Sequence, residues 1–296
     1  MVGSACWKLF KESGYSNLIG INSNKLDLRN QALVQEYFKF EKPEMVIDAA
    51  AIVGGIWSNS QYPYKFLMEN MMIQNNLIAA AYENDIKKFI FLGSSCIYPK
   101  LSPQPIKEEF LLTDSLENSN QWYAIAKISG VKLCESIFKK YKKQFISLMP
   151  TNLYGQKDNF DKMTSHVLPA MIRKFHEAKI KKNKNVDLWG DGSPFREFMH
   201  VDDLAKAVLF CCENIMTQHI YNVGSSDEIS IKNLSDLVKE VVGFKGDVFW
   251  NSSMPNGSPK KLLDSEKLNE MGWNSEIGLK DGIKKTYEWY LKFIDK

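Results

Sequence analysis

The run Met45-Val46-Ile47-Asp48-Ala49-Ala50-Ala51 constrains this chain more than any other stretch. It is apolar almost throughout and does not alternate, so a strand built from it has no face to offer water. Strands of that kind belong to parallel sheets covered on both sides. Parallel neighbours cannot be joined by a tight turn; they need a crossover of about a dozen residues or more. The chain supplies one, a helix expected from about Tyr64 to Asn84, before the next apolar run, Lys88 to Ser94. The pattern then repeats: a helix over about Gln121 to Tyr141 precedes a strand from Phe145 to Met149. Upstream, Met1 to Ser13 keeps a helical period through Ala5, Leu9 and Phe10, with Gly14 suited to its stop. Leu18-Ile19-Gly20-Ile21 reads as a short strand, and Arg29 to Phe40 as an amphipathic helix closed by Pro43. Alternation this regular predicts an α/β fold with a doubly wound parallel sheet.

After Gly155 the rhythm changes. Asp158 to Thr164 is polar, His166 to Ala178 is helical, and Trp189-Gly190-Asp191-Gly192 forms a turn. Arg196 to Asp203 leads into a helix from Leu204 to Glu213, then a strand from Ile220 to Gly224. Helices near Ile231–Val242 and Leu279–Phe293 finish the chain. Residues 1–155 are therefore expected to form a dinucleotide-binding domain, with 196–224 returning to it. Residues 156–195 and 225–296 would form a smaller, substrate-binding domain.

Composition narrows the function class. The 296 residues are 44% hydrophobic, enough for a substantial core. A net charge of +3 is near balance and gives no argument for a nucleic-acid partner. The lysine pairs Lys139-Lys140, Lys142-Lys143 and Lys181-Lys182 fall at helix ends, where cations suit the helix dipole. Five cysteines, an odd number with no CxxC pair, fit a reduced, cytoplasmic chain. No apolar run nears the ~20 residues that would span a bilayer, and the first residues do not resemble a secretory leader. No membrane partner is expected.

Chemistry concentrates after the second apolar run, in Phe91-Leu92-Gly93-Ser94-Ser95-Cys96, where a strand tip delivers hydroxyls and a thiol. Tyr123 and Lys127 stand one turn apart on the helix that follows. An ammonium beside a phenol favours the phenolate, which predicts a Tyr123 pKa below the usual ~10. A phenol so tuned exchanges a proton with a sugar oxygen near neutral pH. The YxxxK spacing alone is commonplace; a strand-tip serine upstream makes it specific. Taken alone, Cys96 reads as a buried small hydrophobe and His166 as an unremarkable residue near a helix start. His200 with Asp202-Asp203 offers no third or fourth ligand at suitable spacing, so no metal is expected, and an Asp there suits a helix N-cap.

The strings Ala49-Ala50-Ala51, Val53-Gly54-Gly55-Ile56, Gly93-Ser94-Ser95-Cys96-Ile97-Tyr98-Pro99, Tyr123-Ala124-Ile125-Ala126-Lys127, Met149-Pro150-Thr151-Asn152-Leu153-Tyr154-Gly155 and Arg196-Glu197-Phe198-Met199-His200-Val201-Asp202-Asp203 lead further. Together they resemble the extended short-chain dehydrogenase/reductases that act on nucleotide sugars and, among them, the GDP-L-fucose synthase family of epimerase-reductases. The resemblance covers essentially the whole chain. It implies a Rossmann-like sheet with a smaller C-terminal substrate-binding domain, NADPH/NADP as cofactor with NAD still open, a GDP-linked 4-keto sugar as substrate, and a homodimer. It implies Ser94, Tyr123 and Lys127 as the reducing triad, and Cys96 with His166 as the acid/base pair at C3 and C5. Cofactor contacts would come from Gly3, Asp27, Leu28, Leu92, Gly93, Ser94, Ser95, Tyr123, Lys127, Pro150, Thr151, Asn152, Leu153 and His166. Substrate contacts would come from Lys174, Trp189, Arg196 and Asn251. For a cofactor 2′-phosphate the nearest cation is Lys25. The alternatives are another nucleotide-sugar reductase or 4-epimerase, which needs no C3/C5 pair, and a non-catalytic nucleotide-sugar-binding relative. Met1-Val2-Gly3-Ser4-Ala5 resembles the end of a Gly-rich turn and the start of its helix; the strand and the two glycines that precede it in the family are expected upstream of Met1.

Overall fold

Parallel pairing organises the first half of the molecule. The computed structural model describes residues 1–254 and 256–293. Helices α1 (Val2–Glu12) and α2 (Gln31–Glu41) precede strand β1 (Met45–Asp48). Helices α3 (Ile56–Gln61) and α4 (Pro63–Glu83) cross to β2 (Lys88–Leu92), and α5 (Gln121–Tyr141) crosses to β3 (Gln144–Pro150). β1, β2 and β3 run parallel in that order, with Asp48 beside Phe91 and Phe91 beside Ser147. Phe89–Leu92 and Phe145–Pro150 are buried throughout, as runs without a polar face must be. An apolar layer containing Val34, Phe38, Leu77 and Val131 covers one face; a second, with Phe10, Leu204 and Val208, covers the other.

Local chemistry sets these elements. Asn30 caps α2 by accepting from Leu33 N at 3.2 Å. Pro63 opens α4, where a missing N–H has no helical partner to lose. The inner face of α5 repeats at helical spacing through Ala124, Lys127, Ile128, Val131 and Cys134, so the packing that buries Val131 also carries Lys127 inward. α5 lies this close to β2 because residue 130 is glycine: a Cβ there would come within 2.4 Å of the Phe91 ring.

The chain leaves this sheet at Thr151. β4 (Asn152–Tyr154), α6 (Val167–Ile180), β5 (Asn185–Trp189) and β6 (Phe195–His200) follow, then α7 (Val201–Glu213) and β7 (Ile220–Val223). The remainder is β8 (Glu228–Ser230), α8 (Ile231–Val242), β9 (Asp247–Asn251), β10 (Lys260–Lys261), α9 (Glu266–Glu270) and α10 (Leu279–Phe293). β7 adds to β3 in parallel as the fourth strand, and α7 packs on α1. Lys88 donates to the carbonyls of Cys211, Cys212 and Asn214 at 2.9, 2.8 and 2.6 Å, placing a cation where the α7 dipole favours one. β6 pairs instead with β4, β8 and β10, and β5 pairs with β9. Of the 196–224 stretch, then, α7 and β7 join the four-stranded sheet and its layers, while β6 stays with the smaller sheet. A separate core around Phe175, Leu234, Val238 and Ile283 lies under α6, α8 and α10. Among the described residues no helix is long and apolar enough to cross a membrane.

One expected element is not there. Leu18–Ile21 forms no strand. β1 is the edge of the four-stranded sheet, and Leu18–Ile21 does not pair with it. Ile19 and Ile21 accordingly stay 42% and 40% exposed.

Candidate active site

Because β1, β2 and β3 run parallel, their carboxyl ends emerge on one side, where open α/β sheets hold their ligands. Beyond β2, Gly93 leaves room for Met149, whose Cε would lie 2.4 Å from a Cβ there. Ser94 then caps a single helical turn, Ser95–Ile97, its Oγ accepting from Cys96 N at 3.2 Å. The turn buries Ser95 and Ile97 and leaves Ser94 and Cys96 partly exposed.

Lys127 reaches the same tip from α5. Its Nζ donates to Leu92 O at 2.9 Å and lies 4.7 Å from the centre of the Phe91 ring. Burial lowers its pKa, and the Asp48 carboxylate opposes that shift. Tyr123 stands one turn earlier, edge-on to Phe66 at 6.4 Å between ring centres. Its acidity runs opposite to the expectation from YxxxK. Burial pushes the phenol well above its ordinary value, charge on Cys96 pushes the same way, a hydrogen bond with Ser94 opposes it, and Asp48 adds a smaller rise. The ammonium is 6.0 Å from the Tyr123 ring and bonded to Leu92 O, so desolvation prevails. Tyr123 is held as the neutral phenol, the form that donates a proton.

Cys96 has cations beside it. Lys261 Nζ donates to its Sγ at 3.8 Å. Arg196, whose pKa burial lowers, is close enough for Cys96 to oppose that shift. Strand register brings the two cations together, since β10 pairs with β6 in parallel and sets Lys261 opposite Arg196. Buried Glu197 braces the junction by accepting from Ser226 N at 2.8 Å and Leu263 N at 3.1 Å. Sequence reasoning missed Lys261: a two-residue strand carries no period, and its only mark is a lysine pair ahead of Leu262-Leu263.

His166 comes from the far side. Gly55 N donates to Thr164 O at 3.3 Å, and a Cβ on Gly55 would lie 3.1 Å from Ser165 O. The loop after β1 thus holds the segment ending in His166 beside the crevice. His166 begins α6 without a side-chain capping bond. Its side chain is open to solvent on one side, while protein on the others disfavours the imidazolium and lowers its pKa. At neutral pH the ring is a base.

The remaining expected positions divide. A Cβ on Gly3 would sit 3.6 Å from the Ala49 Cβ, which places the first turn of α1, with its unpaired amides, at the tip of β1. Asp27 is engaged locally: its carboxylate accepts from Arg29 N, Nε and Nη2 at 3.0, 2.9 and 2.9 Å and is held at about 2. Leu28 gives its carbonyl to Asn76 Nδ2 at 2.8 Å. Past Pro150, Thr151 Oγ1 and Asn152 Nδ2 both donate to Glu197 O, at 3.2 and 2.8 Å, and brace the crossover that continues into Leu153. On the smaller sheet, Lys174 Nζ donates to Asp187 O at 2.9 Å, and Trp189 ends β5 with 48% of its surface exposed. Asn251 sits opposite Trp189 in the strand pair, but its Oδ1 accepts from Ser253 N and Oγ at 3.1 and 2.6 Å. Asn256, which sequence reasoning passed over, is the asparagine whose side chain meets the Trp189-Gly190-Asp191 turn, accepting from Asp191 N at 3.0 Å.

This donor set fits a dinucleotide: helix amides for a pyrophosphate, a buried ammonium for a ribose, and a phenol with a serine beyond them. Among the described residues no three His, Cys, Asp or Glu side chains gather to hold a metal ion. His200 is buried and caps α7, its Nδ1 accepting from Asp202 N at 3.2 Å.

Residues 1–224 match the NAD dependent epimerase/dehydratase family. The chain is 51% identical over 294 residues to GDP-L-fucose synthase 1 of Arabidopsis thaliana, covering 99% of this chain and 91% of that protein. It is 45% identical over 306 residues to the GDP-L-fucose synthase of Escherichia coli (strain K12), covering 100% of this chain and 95% of that one. Among solved structures it is similar to the GDP-mannoheptose C4 reductase from Campylobacter jejuni with NADP bound, at a TM-score of 0.90 and 38% identity, covering 98% of this chain and 95% of that chain.

Proposed function

This chain belongs to the NAD dependent epimerase/dehydratase family, and on that premise we propose that it converts GDP-4-keto-6-deoxy-D-mannose to GDP-L-fucose, inverting C3 and C5 and reducing C4 with NADPH. The observation that carries the reading is two chemistries at one strand tip. Ser94, Tyr123 and Lys127 serve a reduction; Cys96, with Lys261 and Arg196 beside it, serves proton transfer at carbon. An enzyme that only reduced C4 would have no use for the second.

A ketone at C4 acidifies the protons on C3 and C5. Cys96 and His166 remove and return them, with His166 neutral and able to accept a proton. Lys261 and Arg196 give charge developing on Cys96 Sγ a partner. NADPH, when bound, supplies the hydride to C4. Tyr123, kept as the phenol, gives its proton to the C4 oxygen while Ser94 hydrogen-bonds that oxygen. Lys127 stabilises the phenolate left behind and would hold the cofactor ribose. The amides of α1 near Gly3 would hold the pyrophosphate, and Leu92–Ser95, Pro150–Leu153 and Asp27-Leu28 would supply further cofactor contacts. Lys174, Trp189 and Arg196 hold the nucleotide sugar, with Asn256 better placed at the Trp189 turn than Asn251.

In this reading residues 1–155 with α7 and β7 bind the cofactor, and 156–200 with 225–296 bind the sugar nucleotide. Homodimer formation is supported by the exposed apolar side chains of Tyr64 and Met68 on α4 and Trp122, Ile125 and Leu133 on α5. Five unpaired cysteines support work in the cytoplasm. The test is NADPH oxidation with GDP-4-keto-6-deoxy-D-mannose in D2O. Consumption of NADPH with deuterium at C3 and C5 of the product is expected. Reduction without that deuterium would reassign the chain as a C4 reductase, and no consumption would leave the binding-protein alternative.

A further inference from the structure

We propose that Asp48 is the buried counter-ion of Lys127 and a positioning residue for the Tyr123–Lys127 pair. Lys127 is 3% exposed, and its contacts are one neutral carbonyl, Leu92 O, and the face of Phe91. An ammonium so buried is costly unless an anion accompanies it. Asp48, at the end of β1, is 2% exposed. Its Oδ1 accepts from Ala50 N at 3.1 Å, while Oδ2 has no hydrogen-bond partner. Parallel register sets Asp48 directly beside Phe91. Val46, two residues earlier on the same side of β1, packs with Phe91 in the layer beneath α4 and α5. The carboxylate therefore stands next to the ring over which the ammonium lies. Each charge is buried without another ionic partner, and Phe91 is the neighbour of both.

The surrounding elements add little charge to this pocket. α5 contributes Lys127, Tyr123 and Cys134; burial holds the Tyr123 phenol and the Cys134 thiol protonated. β3 contributes Ser147 and α4 contributes Gln74, both neutral. Burial raises the pKa of the Asp48 carboxyl and lowers that of Lys127, and each group opposes the other's shift, Lys127 holding Asp48 down and Asp48 holding Lys127 up. Without Asp48 the ammonium would lose its proton at lower pH. The phenolate formed as Tyr123 donates would then lack its stabilising cation, so the basic limb of kcat would move down.

Asp48→Asn keeps the Ala50 hydrogen bond and removes the charge. In protein carrying 13C-lysine, the Lys127 signal is assigned by its loss in Lys127→Arg. Its titration midpoint is expected to fall by at least a full pH unit in Asp48→Asn, and the basic limb of kcat should fall with it; an unchanged midpoint overturns the proposal. Melting gives a second readout: Asp48→Asn and Lys127→Met together should lower Tm by less than the sum of the single variants, because neither charge is left alone. Additive shifts overturn the pairing. Should Asp48→Asn alone not fold, recovery on adding Lys127→Met supports the pair and failure to recover overturns it. The role rests on the reaction assigned above only through kcat. Titration and melting need no substrate, so their failure is distinct from failure of that assignment.

Discussion

The two walls of the crevice are built by different means. The reducing wall is α5 laid on β2, where one helix face and one strand tip hold Lys127 against Leu92 and Phe91. Its functional groups are part of the core, and Gly130 sets the distance between the two elements. The second wall starts at the same strand tip and gathers Cys96, Arg196 and Lys261 from a helical turn and two paired strands. Those side chains are partly exposed, and backbone register rather than core packing places them. Substitutions on the first wall should therefore disturb chemistry and stability together, whereas those on the second should disturb chemistry alone.

The largest separation is expected from Tyr123→Phe. It removes the proton donor and keeps the ring against Phe66. Reduction should fall about a thousandfold, within the usual range for a positioned acid, while deuterium still enters C3 and C5. Loss of both activities together would break the comparison by showing that the walls act as one. The converse is Cys96→Ser, for which exchange at C3 and C5 should fall about a hundredfold. Its stability to urea should stay within about 0.5 kcal/mol of the parent, as for other substitutions outside the core. The surviving exchange should keep its rate as pH falls below ~6.5, the ordinary imidazole value, because His166 is held below that value and remains a base there. An acid limb at or above the ordinary imidazole value would remove His166 from the step.

The same contrast decides what could be read from the sequence. β1, β2 and β3 were legible because strands buried on both faces must be apolar throughout, and α5 because its buried face repeats at 3.6 residues. Ser94, Tyr123 and Lys127 were legible with them, one at a strand tip and two on a single helix face. The small strands β4, β8 and β10 were not, since a two- or three-residue strand has no period and exists only through its partner. Lys261 went unseen for that reason, and Asn256 because it lies in a loop between β9 and β10; Leu18–Ile21 was misread for the mirror reason, a strand-like string without a partner. The direction of the Tyr123 shift was beyond the YxxxK spacing, because it depends on how deeply the ring is enclosed and on Lys127 being committed to Leu92.

Gly130→Ala sharpens the first wall. The added Cβ would meet the Phe91 ring at 2.4 Å, and overpacking of this kind costs about 1–3 kcal/mol. The urea midpoint should drop accordingly. Because Lys127 lies on the same ring, reduction should decline in step, while exchange at C3 and C5 is affected less. A stable, fully reducing Gly130→Ala would mean that α5 can shift without moving Lys127, and packing would then not be what places the triad.

Lys261→Met should have the smallest effect and tests the second wall most directly. Methionine keeps the length and apolar stem of the side chain and removes the charge that meets Cys96 Sγ at 3.8 Å. Arg196 remains beside the thiol, so one of two cations is lost rather than both. An exposed or half-exposed charge interaction is worth roughly 0.2–1 kcal/mol, which corresponds to a loss of a few-fold at most in the rate of exchange at C3 and C5. The loss should shrink further as salt is added, because screening weakens what the parent gains from the cation. Reduction of a substrate already epimerised should be untouched, and so should the urea midpoint. If reduction fell with exchange, Lys261 would be holding the sugar rather than serving the thiol. The second wall would then be a substrate clamp like the one assigned to Lys174, and register would have built a binding surface there instead of an acid/base centre.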